Sequence, residues 1–280
     1  YTLSLHDALP IYMGRKYKTP AENTHICHCL MENGHGAVTV GSEIGAGVKN
    51  MLVEKCCFSH TDRGLRIKTR RGRGKDSVLD GITFRDIEMD HVMTPFTANA
   101  FYFCDPDGRT EYVQSRACYP VDERTPEMRK FCFENIKAEN CHVAAAYFDG
   151  LPESKIESIT MKNVAISFAK EAEMGVPIMS NGVEPCSKKG IYVHNVEKLV
   201  LDHVQVTGAD GAPVLQDSDN IPVPQHPDDA LQKVFSDNRK NRVSAHCLPQ
   251  STPRLLFSKQ DAHRKIPVPL RSPHALPMFL

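Results

Sequence analysis

A degenerate repeat runs through the middle of the chain and limits the folds that it can adopt. Each copy reads apolar, two variable residues, apolar-x-apolar, two polar residues, apolar-x-apolar, and the copies begin at residues 21, 48, 79, 128, 156 and 196. Short stretches that alternate apolar and polar residues are typical of strands rather than helices. Copies spaced by about 27 to 31 residues, with two longer gaps, predict an all-β chain folded as a right-handed parallel β-helix.

The polar pair in each copy predicts a bend between two strands. Asn and Asp tolerate turn conformations better than most residues. The second polar position of successive copies is therefore predicted to form a stacked column of bends, made of His28, Lys55, Asp86, Asn135, Asn163 and His203.

The two longer gaps in the repeat predict insertions at residues 94–125 and 171–190, which we expect to be loops that leave the stack and shape a binding site. A β-propeller is the alternative fold. It needs units of about 40 residues with four strands each, and only one gap approaches that length.

The two ends of the chain differ from the repeat region. Residues 1–11 are similar to one translated frame of a sequencing-library adapter, and we exclude them from the fold as an artefact. Residues 221–280 hold nine of the 19 prolines and none of the 17 glycines. We interpret that segment as either a disordered tail or out-of-frame sequence. The domain is thus predicted to span residues 12–220.

Composition bears on partners and compartment. The net charge is +0, which argues against bulk attraction to nucleic acid or a membrane. No apolar run reaches the roughly 18 residues that span a bilayer. Ten cysteines are present, and we interpret them as reduced thiols packed as small apolar side chains rather than as disulfides. The compartment stays open, with reduced thiols favouring the cytoplasm slightly over secretion.

A cluster near the start of the repeat has the residue types of a metal site. It contains His25, Cys27, His28 and Cys29, but no second Cys/His pair at zinc-site spacing accompanies it. The repeat register directs Cys29 inward and places His28 on a bend. We therefore predict neither a metal site nor a cofactor.

The candidate functional site combines a glycine-flanked histidine with two cations. Glycines let a ligand and the backbone approach closely, and cations at i and i+2 of a strand project from the same face. Such cations converge on a carboxylate-bearing ligand. The residues that we single out are Gly34, His35, Gly36, Ser42, Arg66 and Lys68.

These motifs resemble the polygalacturonases of glycoside hydrolase family 28. That family carries Asn-Thr-Asp, Asp-Asp, Gly-His-Gly with a following Gly-Ser, and Arg-Ile-Lys in this order, and the last two occur here as GHGAVTVGSE and RIK. The resemblance implies a pectin lyase-like solenoid that is truncated at its N-terminal side. It also implies that His35 supports the catalytic carboxylates, while Arg66 and Lys68 bind a galacturonate carboxylate.

The family hydrolyses α-1,4 bonds of polygalacturonate or pectin with inversion, using carboxylates from the first two motifs. Because both motifs are missing here, the resemblance implies a chain that contacts galacturonate without hydrolysing it. We expect Asp62 to be a turn or salt-bridge residue rather than a replacement acid. Exo and endo action both stay open, and the long loops favour exo action. The alternatives are a non-catalytic β-helix that binds acidic polysaccharides, and an RNA-binding surface over residues 63–75.

Overall fold

The computed structural model describes residues 14, 16–41, 44–104, 106–211 and 214–216, the last three by their backbone only. The predictions for residues 1–11, for residues 221–280 and for Ser42 fall outside the described residues. Within the described residues, no helix is long and apolar enough to cross a membrane.

The described residues form two sheets in which all named strands pair in parallel. The first sheet has nine strands: β1 (Ala21–Cys27), β2 (Leu30–Glu32), β4 (Val48–Glu54), β5 (Cys57–Ser59), β7 (Val78–Asp90), β9 (Glu127–Met128), β10 (Lys130–Cys141), β12 (Ile156–Phe168) and β14 (Val196–Thr207). The second sheet has six: β3 (Val38–Gly41), β6 (Arg63–Lys68), β8 (Thr94–Asn99), β11 (Ala144–Asp149), β13 (Lys189–His194) and β15 (Val214–Gln216).

The pairing register of the first sheet follows the sequence repeat. The first residues of successive copies are Cα partners, namely Ala21 with Val48, Val48 with Leu79, Leu79 with Met128, and Ile156 with Val196. Each copy is thus one coil that stacks in parallel on the next. The prediction of a parallel β-helix is confirmed, and the propeller alternative is wrong because successive repeats pair with one another along the whole stack.

The core lies between the two sheets and is filled by alternate residues of their strands. Phe84 of the first sheet is fully buried beside Phe133, at 6.3 Å between ring centroids, and Phe133 lies 4.8 Å from Phe96 of the second sheet. Phe148 stacks on Phe133 at 6.1 Å. Apolar side chains contributed by successive coils therefore form one continuous core.

The predicted column of bends is confirmed. All six residues have a left-handed backbone, with φ between 52° and 55°. Side chains of the column also bond along the stack, since the Asn163 amide donates to Asn135 at 3.1 Å and the Asn135 amide donates to Asp86 at 2.9 Å. The long strands bend here without leaving the sheet.

We expect Asn135→Ala to destabilise the stack by about 1–2 kcal/mol, because a Cβ-bearing residue other than Asn or Asp is strained at this φ. Loss of two amide hydrogen bonds adds to the effect. Asn135→Gly removes the same bonds but relieves the strain. Its urea midpoint should therefore lie between those of the wild type and Asn135→Ala. Lys137→Ala, an exposed position of the same strand, is the control. Equal midpoints for the Ala and Gly variants would show that backbone strain contributes nothing here.

The loop prediction for residues 94–125 needs correction. Thr94–Asn99 form β8, which pairs with β6 and β11 inside the stack. The repeat describes the long bent strands of the first sheet. It carries no signal for the strand that each coil contributes to the second sheet. The loop itself follows β8 and contains a 3-10 turn, Pro106–Arg109, and a short helix, Glu111–Gln114.

The basic run at residues 63–75 holds this loop to the stack. Arg70, Arg71 and Arg73 are 2%, 1% and 3% exposed. Arg70 donates to both Asp107 oxygens at 2.8 and 2.9 Å, and Arg71 donates to both Glu153 oxygens at 2.6 and 2.9 Å. The run is therefore not an exposed cationic face, and the interpretation as an RNA-binding surface loses its basis.

Cys29 is exposed, although Cys56, at the same position of the next coil, is 2% exposed and part of the core. The reason is position in the stack. Cys29 follows β1, which ends the strand order of the first sheet, while Cys56 follows β4 in its interior.

Candidate functional site

The outward face of the second sheet carries the two predicted cations. Arg66 and Lys68 alternate in β6 with Leu65 and Ile67, which are fully buried in the core. In the next strands, Arg66 pairs with Thr39 and Thr97, and Lys68 pairs with Gly41 and Asn99. The prediction that both cations project from one face of a strand is confirmed.

Tyr102, a residue that the sequence interpretation passed over, lies between the two cations. Lys68 donates from Nζ to the Tyr102 hydroxyl at 3.3 Å and lies 4.3 Å from its ring centroid. The Arg66 guanidinium lies 5.7 Å from the same ring. Cations over an aromatic face are held by its electron density. Lys68 is only 8% exposed, so its ammonium is fixed in place rather than free in solvent.

His35 lies one coil before the cations. Its Nδ1 is 2.6 Å from Oδ2 of Asp62, and its side chain is 91% exposed. Asp62 also lies 3.5 Å from the Arg63 guanidinium. Asp62 is thus a salt-bridge residue, as expected, and its partner is the histidine of the candidate site.

The glycines near His35 and in β3 make room for the cations. A Cβ at Gly36 would lie 3.4 Å from Cβ of Arg66 and only 2.4 Å from the Thr39 hydroxyl oxygen. Gly41 has φ +125°, and a Cβ there would lie 1.8 Å from the carbonyl oxygen of Lys68. Around Gly34, the nearest atoms to such a Cβ are backbone atoms of Gly36, at 3.8 and 3.9 Å. Gly36 and Gly41 therefore allow β3 to approach the strand that carries both cations.

A segment of the second insertion crosses the face beside these residues. Residues 175–181, here called the strap, contact Arg63 through the Pro177 carbonyl at 3.1 Å and Arg66 through the Met179 sulfur at 2.8 Å. Asn99 donates to the Met179 carbonyl at 3.0 Å. The sequence predicted a loop at 171–190 but gave no sign of where it lands.

The family assignment follows once this geometry is compared with known proteins. The model of the glycosyl hydrolases family 28 matches residues 6–179, more than half of the chain. The chain belongs to glycosyl hydrolase family 28. No solved structure matches it.

Several curated proteins resemble this member of family 28 over part of their length. An exo-poly-alpha-D-galacturonosidase of Dickeya chrysanthemi is 29% identical over 52% of the chain and 28% of that protein. A probable polygalacturonase of Vitis vinifera is 27% identical over 62% of the chain and 33% of that protein. A polygalacturonase of Ralstonia solanacearum is 37% identical over 28% of the chain and 16% of that protein. The chain thus spans about a third or less of these relatives.

In this family 28 chain, a second polar group on the same face was missed by the sequence analysis. Asp149, 1% exposed, accepts from Arg116 at 2.6 Å and lies 3.0 Å from Nδ1 of His194. Beside it, the rings of Tyr147 and Tyr192 stack at 4.2 Å. Burial, the neighbouring Tyr192 and Asp149 together raise the pKa of Tyr147, which stays a neutral phenol. The outward i, i+2 pairs of β11 and β13 were the available signal.

Other predicted site features can be placed as well. Among the described residues, no group of three or more His, Cys, Asp and Glu side chains is arranged to hold a metal ion. Pro106 and Asp107 lie in a loop turn, and Asp107 pairs with Arg70.

The start of the second insertion is held by His142, whose Nδ1 accepts the Glu173 N–H at 3.0 Å. Burial lowers the pKa of His142, Glu173 opposes that shift, and the imidazoles of His91 and His60 add to it. Below the ordinary histidine value of 6.5, the unfolded chain therefore takes up this proton more readily than the folded one. Stability should fall as the pH drops through that region.

We expect this loss to be smaller in His142→Gln, because the variant has no proton to take up at that position. The measurement is the urea midpoint between neutral and mildly acidic pH. His28→Gln, on an exposed bend, is the matched control and should keep the wild-type slope. A slope in His142→Gln equal to that of the wild type would contradict the assignment.

Proposed function

We propose that this family 28 chain is part of an enzyme that hydrolyses α-1,4-galacturonosidic bonds in polygalacturonate or pectin. The single observation that carries the proposal is the placement of Arg66 and Lys68 on one outward face, beside the Gly34–Gly36 turn of the preceding coil. A guanidinium and an ammonium held side by side suit a carboxylate-bearing sugar, since charge-assisted hydrogen bonds are short and strong. A neutral sugar has no carboxylate to accept such bonds.

The reaction needs two acidic functions, one to protonate the leaving oxygen and one to activate water, roughly 6.5–9.5 Å apart in inverting enzymes. Two carboxylates lie on this face. Asp62 contacts His35, and Asp149 pairs with Arg116. We therefore assign the acids to coils that stack beyond β3, which ends the strand order of the second sheet among the described residues. His35 would then face them across one coil spacing.

Exo action is the finer part of the proposal. The strap covers the face over β6 and β8 through Arg63, Arg66 and Asn99, and Arg116 donates to Ser180 at 2.9 Å farther along. A groove walled on that side accepts the end of a polymer more readily than its middle. The described face is open toward β3.

The test compares binding and cleavage. Calorimetry should show that the 280-residue chain binds galacturonate oligomers and not galactose oligomers of the same length. Reducing-end release should require a longer chain that includes the preceding coils, and its products should be short and uniform in size. Release by the 280-residue chain would contradict our assignment of the acids, a broad mixture of products would contradict exo action, and binding of both oligomers or neither would overturn the proposed substrate.

A further inference from the structure

Asp62 and Arg63 lie where the chain enters β6, between His35 and the strap. The Nδ1 of His35 and Oδ2 of Asp62 are 2.6 Å apart, a distance typical of a short charge-assisted hydrogen bond. A carboxylate only accepts hydrogen bonds, so Nδ1 must carry the proton in this contact. The remaining lone pair of the neutral ring then belongs to Nε2, on the far side from Asp62.

The backbone of Asp62 is held by the neighbouring coils. The Asp62 N–H donates to the Gly34 carbonyl at 2.9 Å, and the Asp62 carbonyl accepts from the Thr94 N–H at 3.1 Å. Both coils that flank Asp62 therefore fix its backbone. With its backbone fixed, the Asp62 side chain needs to adopt only one rotamer to contact His35.

Arg63 lies near the same carboxylate oxygen that contacts His35. Its side chain is 13% exposed and lies 3.5 Å from Oδ2 of Asp62. It also donates to the carbonyls of Val176 and Pro177 in the strap. Burial and the nearby Arg66 lower the pKa of Arg63, while Asp62 opposes them, so the negative charge of Asp62 favours the cation that sits behind it.

We propose that Asp62 is a positioning residue that fixes His35 as the Nδ1–H tautomer, with the unprotonated Nε2 directed away from Asp62. The hydrogen bond to one ring nitrogen determines which nitrogen is left as an acceptor. Under the proposed function, on which this inference rests, Nε2 accepts a hydrogen bond from a sugar hydroxyl or from a protonated carboxylic acid. Arg63 contacts both Asp62 and the strap, so it connects the orientation of His35 to the position of the strap.

The test reads the tautomer directly. In the 15N-labelled 280-residue chain at mildly alkaline pH, long-range 1H–15N correlation spectra distinguish Nδ1–H from Nε2–H, and His35→Gln assigns the signals. We expect Nδ1–H in the wild type, loss of that preference in Asp62→Ala, and its return in Asp62→Asn, whose amide oxygen still accepts. A merely structural role for Asp62 would not move this signature.

Asp202→Ala is the matched control, because Asp202 also contacts Nδ1 of a neighbouring exposed histidine, His203, on the first sheet. It should leave the His35 signals unchanged. An Nε2–H tautomer in the wild type, or an unchanged tautomer in Asp62→Ala, would overturn the inference. Galacturonate oligomers are added only afterwards, so failure to bind them contradicts the proposed function while the tautomer result still decides the role of Asp62.

Discussion

Replacement of Arg71 by Met should lower the free energy of unfolding by about 3–5 kcal/mol, the usual cost of removing one partner of a buried ion pair. Arg71 and Glu153 are 1% and 2% exposed, so the variant leaves a buried carboxylate without its cation. The same guanidinium donates to the carbonyls of Tyr112 at 3.1 Å, Ser115 at 2.7 Å and Ala117 at 3.1 Å. Urea unfolding followed by circular dichroism measures the loss.

Two further variants make this prediction specific. Lys75→Met removes a cation of the same run whose partner Glu123 is exposed, and it should leave the midpoint unchanged. The double variant Arg71→Met/Glu153→Met removes both buried charges, so it should recover much of the stability lost in the single variant. If Arg71→Met unfolds at the wild-type midpoint, Arg71 does not stabilise the fold as proposed.

The consequence reaches the candidate site, because the loop that Arg71 anchors begins beside Tyr102. Tyr102 contacts Lys68, and Phe101 lies under the Arg71 guanidinium at 5.6 Å. Loosening the loop should therefore weaken galacturonate binding even though Arg71 itself lies outside the binding face. The buried cation Arg71 thus supports the loop that carries the partner of the candidate cation Lys68.

The fold was readable from the sequence where side chains repeat at the same place in every coil. The inward residues and the left-handed bends recur because each coil packs and bends in the same way, so the sequence predicts that Asp86, Asn135 and Asn163 lie in one column. The sequence repeat does not predict the strands of the second sheet, because these strands are short and their outward residues change from coil to coil. Thr94–Asn99 was consequently assigned to a loop.

The candidate site was readable only in part, for a related reason. Arg66 and Lys68 were found because their spacing of two is a local signal. Tyr102 and Met179 reach them through loops, and contacts between residues so far apart in the chain leave no periodic trace. The charge run at 63–75 misled for the opposite reason, since a row of arginines looks the same whether its guanidinium groups face solvent or are buried against carboxylates. Only the partners Asp107 and Glu153 distinguish the two cases.

Removal of either candidate cation should weaken the binding of galacturonate oligomers by about 10- to 100-fold, because hydrogen bonds to charged groups contribute about 1.5–3 kcal/mol each. Lys68→Met keeps the length of the side chain and its packing on Tyr102 while removing the ammonium. Arg66→Lys keeps the charge but loses the planar fork, so it should bind more weakly than the wild type and more tightly than Arg66→Met. Calorimetry on the 280-residue chain gives these affinities.

Lys137→Met serves as the control, because Lys137 is a 60% exposed lysine on the first sheet, paired with Glu139. It should bind galacturonate as the wild type does, and unfolding midpoints should confirm that the site variants are folded. Raising the salt concentration should weaken wild-type binding more than Lys68→Met binding, since the variant has one cation fewer to screen. Equal affinities for Lys68→Met and Lys137→Met would show that Lys68 only packs against Tyr102 and that the galacturonate carboxylate is bound elsewhere.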